Sequence, residues 1–254
     1  MPFDVTLDAE IRGELTVYPV KSVVELGVDA FVTDRFGGVS VGPYNSLNLG
    51  DHVNDRASDV NENRRRVAKA ANVDRAHLVI VRQVHGATVL EASNAMAESE
   101  SDGLVTERDD LALAMLVADC VPILLVDAAS SRFALVHAGW RGLAEGVIKQ
   151  SLDLFIDTST VHAFLGPSIS AESYQVGPEV ARHFMDIDGA LLADGDDRSR
   201  LDLRHVASHQ LINAGVPDEF IVHSRQVTDG GEVFFSDRAQ RPCGRFALVA
   251  RRAS

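Results

Sequence analysis

An α/β (α+β) fold, a single layered domain with a mixed central sheet flanked by helices, is what three features of this 254-residue sequence predict. Short, almost wholly apolar runs lie at Leu111 to Val117, Val121 to Val126, Phe133 to Val136 and Val161 to Leu165, with turn residues between them, as buried strands do. Other stretches carry apolar residues at helical spacing. The two kinds interleave without strict alternation, which favours a mixed sheet over a doubly wound one. No repeat, low-complexity tract or linker rich in Pro, Gly or Ser divides the chain, so residues 1–254 read as one domain.

Taken in order, Thr33 to Val53 is rich in Gly, Ser, Asn and Pro and reads as a long ordered loop, a kind of segment that is usually functional. Ser58 to Ala71 reads as a helix, capped by Ser58 or Asp59, with Val60, Val67 and Ala71 on one face. A strand from His77 to Val84 follows, then the apolar runs, with Pro122 at a strand start or bulge where its missing N–H is tolerated. Leu143, Val147, Ile148, Leu152 and Phe155 place a helix after Gly142. The strand from Val161 ends at Gly166-Pro167. Pro178 to Met185 starts with a first-turn proline, and Asp202 to Ala214 is stopped by Gly215. Phe220 to His223, Glu232 to Phe235 and Phe246 to Ala250 read as closing strands.

Composition narrows the function. With 46% hydrophobic and 24% charged residues the chain matches a globular domain, and no apolar run is long enough to cross a bilayer. The start, Met1-Pro2-Phe3-Asp4, lacks the basic and apolar regions of a signal peptide, so a cytoplasmic location is expected. A net charge of −13 opposes nucleic-acid backbones and anionic membranes as partners. Two cysteines, Cys120 and Cys243, are too few for a disulfide framework. In a reducing compartment a lone cysteine near histidines suits a metal or a nucleophile.

The densest chemistry lies in Leu135-Val136-His137-Ala138-Gly139-Trp140-Arg141-Gly142, in Asp119-Cys120-Val121-Pro122 and in Gln83-Val84-His85-Gly86. Each segment ends an apolar strand at a soft ligand beside glycine or proline. Strand ends are rigid platforms, and glycine admits close approach. Two imidazoles and one thiolate, from His85, His137 and Cys120, would leave zinc one position short of tetrahedral, open for chemistry. The competing reading is a pair of hydrogen-bonded core histidines and a buried small cysteine. His205 and His209, four apart on a helix with no third ligand, read as a solvated face. Trp140 reads as core cover, and Arg141 as a binder of phosphate or carboxylate or as a surface ion pair. Asp119 points away from Cys120 on an extended strand and needs a bend to reach the metal; the alternative is that it orients a ligand.

At these residues the sequence resembles the bacterial laccase-domain family, first labelled multicopper polyphenol oxidases and later described as zinc-dependent purine nucleoside enzymes. The resemblance runs through Arg35-Phe36-Gly37-Gly38-Val39-Ser40, Ser46-Leu47-Asn48-Leu49-Gly50-Asp51-His52-Val53 and Glu62-Asn63-Arg64. It continues through the three ligand segments, Gly166-Pro167 and Gly244-Arg245. It implies a sandwich-like α/β fold similar to toxin deamidase domains, with His85, Cys120 and His137 as catalytic zinc ligands. It also implies phosphorolysis of purine nucleosides and methylthioadenosine, together with adenosine deamination, so purine nucleosides and phosphate are the expected partners. Candidate substrate contacts are Arg35, Ser46, Asn48, Arg64, Gln83 and Arg141, with Asp119 as a proton shuttle. The chain departs from the family pattern at Ser173-Tyr174-Gln175, Val227-Thr228 and Asp237-Arg238-Ala239-Gln240, where Cys-Tyr-Glu, Cys-Thr and an arginine-rich stretch are common.

Three rival functions share these residues. A His₂Cys set also suits copper and hence a polyphenol oxidase, although the nine histidines include no His-x-His pair. Cys120 with His137 as base would make a metal-free hydrolase. A protein that only binds a nucleotide or cell-wall precursor is the third. The zinc base deaminase signature H-x-E with P-C-x-x-C is absent, so deamination here would be a separate solution.

Overall fold

The computed structural model describes residues 3–93 and 98–253. In chain order the strands are β1 (Phe3–Val5), β2 (Glu10–Arg12), β3 (Leu15–Pro19), β4 (Val28–Thr33), β5 (Leu78–Val79), β6 (Val89–Glu91), β7 (Gly103–Thr106) and β8 (Ala112–Val117). They continue as β9 (Val121–Asp127), β10 (Phe133–Ala138), β11 (Val161–Leu165), β12 (Gln175–Val176), β13 (Leu191–Ala193), β14 (Ser199–Leu201), β15 (Ile221–Ser224) and β16 (Phe246–Arg252). The helices are α1 (Ala57–Ala70), α2 (Trp140–Glu145), α3 (Val147–Leu152), α4 (Pro178–Ala181) and α5 (Leu203–Asn213).

The mixed α/β class holds, but the single central sheet does not. There are two large mixed sheets, ordered β1-β15-β11-β9-β10-β7-β6 and β2-β3-β4-β16-β8-β5, plus a small β12-β14-β13 sheet. Leu124, Val126 and Leu135 of the first share a core with Val32, Leu113, Met115 and Leu248 of the second. The alternate residues face outwards under helices. Ile123, Leu125 and Val136 pack with Val147, Ile148, Val206 and Leu211; Ala114, Leu116 and Val249 pack with Val67 and Ala68 of α1. The order of layers is therefore helix, sheet, sheet, helix. Period-two alternation is intact along β8, β9 and β16, yet both faces are buried, so each strand reads as an unbroken apolar run. Such a run carries no mark of which sheet it joins.

Local differences have physical causes. The single helix expected after Gly142 is two, because Gly146 adopts φ 84° and ends α2. The proposed strand from His77 keeps only Leu78–Val79 before the chain bends toward His85. Glu232 to Phe235 is not a strand; Phe234 and Phe235 are core residues on irregular chain. Helix α1 starts after Arg56 with no side-chain cap, while Asp202 caps α5 by accepting from the His205 N–H at 3.0 Å.

Asp34, at the end of β4, is buried and accepts from the Phe36 N–H at 2.8 Å. Burial is the main cause that lifts its carboxyl to about 6, against the opposing pull of that bond. A carboxyl raised above its unfolded value makes the fold more stable below the unfolded value, and that advantage is lost as pH rises through the folded one. We expect stability to decline between about pH 4 and pH 6 through this group. Asp34→Asn, which keeps the acceptor, should flatten that part of a pH series of urea midpoints.

Candidate metal centre

The register of β9 against β10 builds the site. His137 pairs with Pro122 and Ala138 with Val121, which brings Cys120, just before β9, alongside Gly139. His137 has the parity of Leu135 and so faces the inter-sheet side. His85 reaches the same point from a turn in which it adopts φ 62°, an uncommon conformation for a non-glycine residue. The ligand atoms of His85, Cys120 and His137 all lie within 4.8 Å of one another, and the two rings meet edge to face at 4.8 Å. His85 is exposed, Cys120 half-buried and His137 buried. The structure thus brings the three expected residues together, and the donor set, one sulfur and two imidazoles, fits zinc or copper.

Electrostatics tie the trio together. Burial pushes the Cys120 thiol up, but His137 and His85 outweigh it and bring the thiol down to about 6. Burial works against charge on His137 as well, yet Cys120 and Asp102 raise it to about 9. Without a metal the site thus favours a Cys120 thiolate beside a protonated His137, and a soft metal would take the thiolate and displace the second ring proton of His137.

Sequence reasoning missed Asp102. It is fully buried, and its Oδ1 lies 2.8 Å from Nδ1 of His137. Ser101-Asp102-Gly103 carries no local signal beyond that of a turn.

The glycine at 139 is a packing requirement. A Cβ there would sit 2.8 Å from the Cys120 Sγ and 3.3 Å from His85 Cδ2. At Gly142 it would meet the Gly86 carbonyl oxygen at 2.8 Å. Gly139 has φ −83°, so alanine suits its backbone and the strain falls on the ligands. Gly139→Ala is expected to weaken metal binding about 10-fold or more, as disturbing ligand support does, with little change in the far-UV spectrum. Titration against a chromophoric chelator reads the effect.

A cavity of about 440 Å³ opens over the trio. Its wall includes Arg141, Arg198, Arg238, Arg241 and Arg245 against only Asp119, Glu179 and Asp237, a reversal of the −13 charge of the whole chain. Tyr174 and Trp140 contribute aromatic surface, with the Arg238 guanidinium 5.0 Å over Tyr174 and that of Arg141 4.6 Å over Trp140. Trp140 also packs against the outer core, so it serves both cover and cavity. Within the segments that depart from the family pattern, Gln175, Asp237 and Arg238 line this space, as does the shared Tyr174.

The candidate substrate contacts divide. Gln83 and Arg141 line the cavity, although the Gln83 amide is committed to the Leu116 backbone at 2.7 and 2.9 Å. Arg35, Ser46, Asn48 and Arg64 do not line it. Arg35 donates to the Asn45 and Gly231 carbonyls and lies over Phe235. Ser46 Oγ accepts from the Gly38 N–H, and Arg64 donates to the Leu49 carbonyl and pairs with Asp51. Asn48 is buried and bonded to Gly50, Asp55 and Arg245. These four tie together the loop from Thr33 to Val53, of which His52 lines the cavity, and their bonds are to the protein. Asp119 lines the cavity, but its oxygens accept from Thr228 Oγ1 at 2.6 Å and the Arg238 N–H at 2.7 Å. His205 bonds the Asp188 carbonyl and His209 lies against Asn213, away from the trio.

Known proteins resemble this chain along most of its length. The chain is 36% identical over 226 residues to the purine nucleoside phosphorylase YfiH of Escherichia coli, covering 87% of this chain and 92% of that protein. It is 35% identical over 233 residues to a purine nucleoside phosphorylase of Mycobacterium tuberculosis, covering 89% and 92%. The crystal structure of YlmD from Geobacillus stearothermophilus superposes with a TM-score of 0.90 at 31% identity, covering 98% of this chain and 99% of that one. The family model described as multi-copper polyphenol oxidoreductase laccase matches residues 29–253, and the chain belongs to that family.

Proposed function

We propose that this protein is a zinc-dependent purine nucleoside phosphorylase that also deaminates adenosine and cleaves S-methyl-5′-thioadenosine by phosphorolysis. The observation that carries the reading is the metal-fit trio on the floor of a cavity whose wall is cationic in an acidic protein. The names of the curated relatives support it. Phosphorolysis needs an anion beside the C1′ of the ribose: the C1′–N bond breaks, a phosphate oxygen bonds C1′, and the base leaves with a proton. Guanidinium groups match phosphate in planar, two-pronged fashion. Arg141 projects from the first turn of α2 into the cavity and is our first choice for that contact. Tyr174 and Trp140 offer faces for the purine. When bound, zinc supplies Lewis-acid polarisation at the reacting group. With both oxygens engaged, Asp119 holds the Arg238 backbone in the wall, and we assign it that role in preference to proton transfer. No helix among the described residues is long and apolar enough to cross a membrane, and both cysteines are free, which fits a cytoplasmic enzyme.

The experiment is turnover of adenosine, inosine, guanosine and methylthioadenosine, with and without phosphate, by protein stripped of metal and reloaded with zinc or copper. Zinc- and phosphate-dependent release of free base, with inosine formed from adenosine, is the expected result. Phenol oxidation by the copper form alone would make it an oxidase. Ester turnover that persists under chelation would favour the metal-free thiol reading, to which the lowered Cys120 thiol also points. Tight nucleotide binding with no conversion would make it a binding protein.

A further inference from the structure

We propose that Asp102 is the positioning residue of the metal centre: one carboxylate that fixes the tautomer of His137 and folds the turn presenting His85. Its Oδ1 accepts from the His85 N–H at 2.9 Å and faces His137 Nδ1 at 2.8 Å. Its Oδ2 accepts from the N–H groups of Gly86 at 2.7 Å and Val84 at 3.2 Å. Four donors on two oxygens use the whole acceptor capacity of a carboxylate.

Two consequences follow for the ligands. An ionised carboxylate only accepts, so Nδ1 of His137 presents its N–H to Asp102 and Nε2 is turned toward Cys120, free for a metal once its own proton is displaced. Three consecutive backbone N–H groups, at 84, 85 and 86, converge on the same anion, a nest that requires the left-handed conformation at His85. The carboxylate therefore compensates for the strain that turns His85 toward Cys120. Asp102 stays where it is because its own backbone, just before β7, is bonded on both sides: its carbonyl accepts from the His137 N–H at 2.7 Å and its N–H donates to the Thr88 carbonyl at 2.9 Å. Ligands distant in sequence are thus organised by one side chain that touches neither metal nor substrate.

The proposal rests on the trio being a metal centre, and the test separates the two. On wild-type protein stripped of metal and held above about pH 9, where the ring keeps a single proton, nitrogen-15 NMR of the imidazoles should show that proton on Nδ1 of His137. A ring carrying its proton on Nε2 alone would overturn the proposal whatever the protein binds. Asp102→Asn presents an amide whose NH₂ faces Nδ1, which favours the other tautomer. It should bind zinc 10- to 100-fold more weakly, as loss of a partner that orients a metal-ligating histidine does, and shift the visible spectrum of the cobalt-loaded form. Wild-type affinity and spectrum in a folded Asp102→Asn protein would overturn the proposal. Failure of wild-type protein to bind zinc or cobalt at all would instead remove the metal reading, and the tautomer would still decide the role of Asp102. Should Asp102→Asn not fold, the NMR result on wild-type protein stands as the test.

Discussion

Cys120→Ala and His85→Ala should each lower nucleoside phosphorolysis by about 10³-fold or more, equivalent to roughly 4 kcal/mol of transition-state stabilisation. Each variant leaves only two protein ligands, and metal analysis of protein purified without added metal should show zinc lost along with activity. The three ligands are not equivalent, however. His85 is exposed, its ring bonds Cys120 rather than Asp102, and its backbone N–H to Asp102 survives truncation, so His85→Ala should melt near wild type. His137 is 3% exposed and supplies one of the four donors to the buried Asp102 carboxylate. Removing it leaves a cavity and a buried charge short of a partner, and breaking such a pair typically costs about 3–5 kcal/mol. His137→Ala is thus expected to be inactive and clearly less stable, His85→Ala inactive and stable. Equal melting temperatures for the two would mean that the Asp102–His137 bond contributes little to the fold. Full turnover by Cys120→Ala would remove the metal centre from the chemistry.

That contrast shows where the sequence was informative. The candidate ligands were legible because each follows an apolar run in the sequence and sits beside or near glycine or proline, although in the fold only His137 lies on a strand, Cys120 just precedes β9 and His85 stands on an exposed turn. The strands β8, β9, β10, β11 and β16 and the helices α1 and α5 were legible for similar reasons, length and punctuation. Their grouping into two sheets was not: in a four-layer stack Leu124 and Leu125 are equally buried, though they face different cores. Short strands such as β6 and β7 left no pattern, and with β7 went Asp102, whose importance comes from the register that sets Gly103 opposite Val136. The wall of the cavity was hidden for another reason. Tyr174, Arg238 and Arg245 lie on irregular chain, whose path is set by tertiary bonds rather than by local spacing.

Asn48 tests that last point. Its side chain is fully buried, donating to the Gly50 carbonyl at 3.0 Å and Asp55 at 2.9 Å, and accepting from the N–H groups of Gly50 and Arg245 at 2.9 Å each. Asn63 adds a bond to the Asn48 carbonyl, also at 2.9 Å. A substrate contact would leave polar atoms of the amide free, and here they are all used. Asn48→Ala would strand several buried groups, each costing about 1–3 kcal/mol when left unpaired. We expect a loss of about 3 kcal/mol or more, read as a fall in the urea midpoint. Because the Arg245 N–H is one of those groups, the arginine wall should loosen as well. Phosphate KM should then rise more than the KM for nucleoside, while zinc content stays near wild type because the metal ligands lie on other segments. A variant that keeps its stability but loses nucleoside affinity would show instead that Asn48 meets the substrate directly.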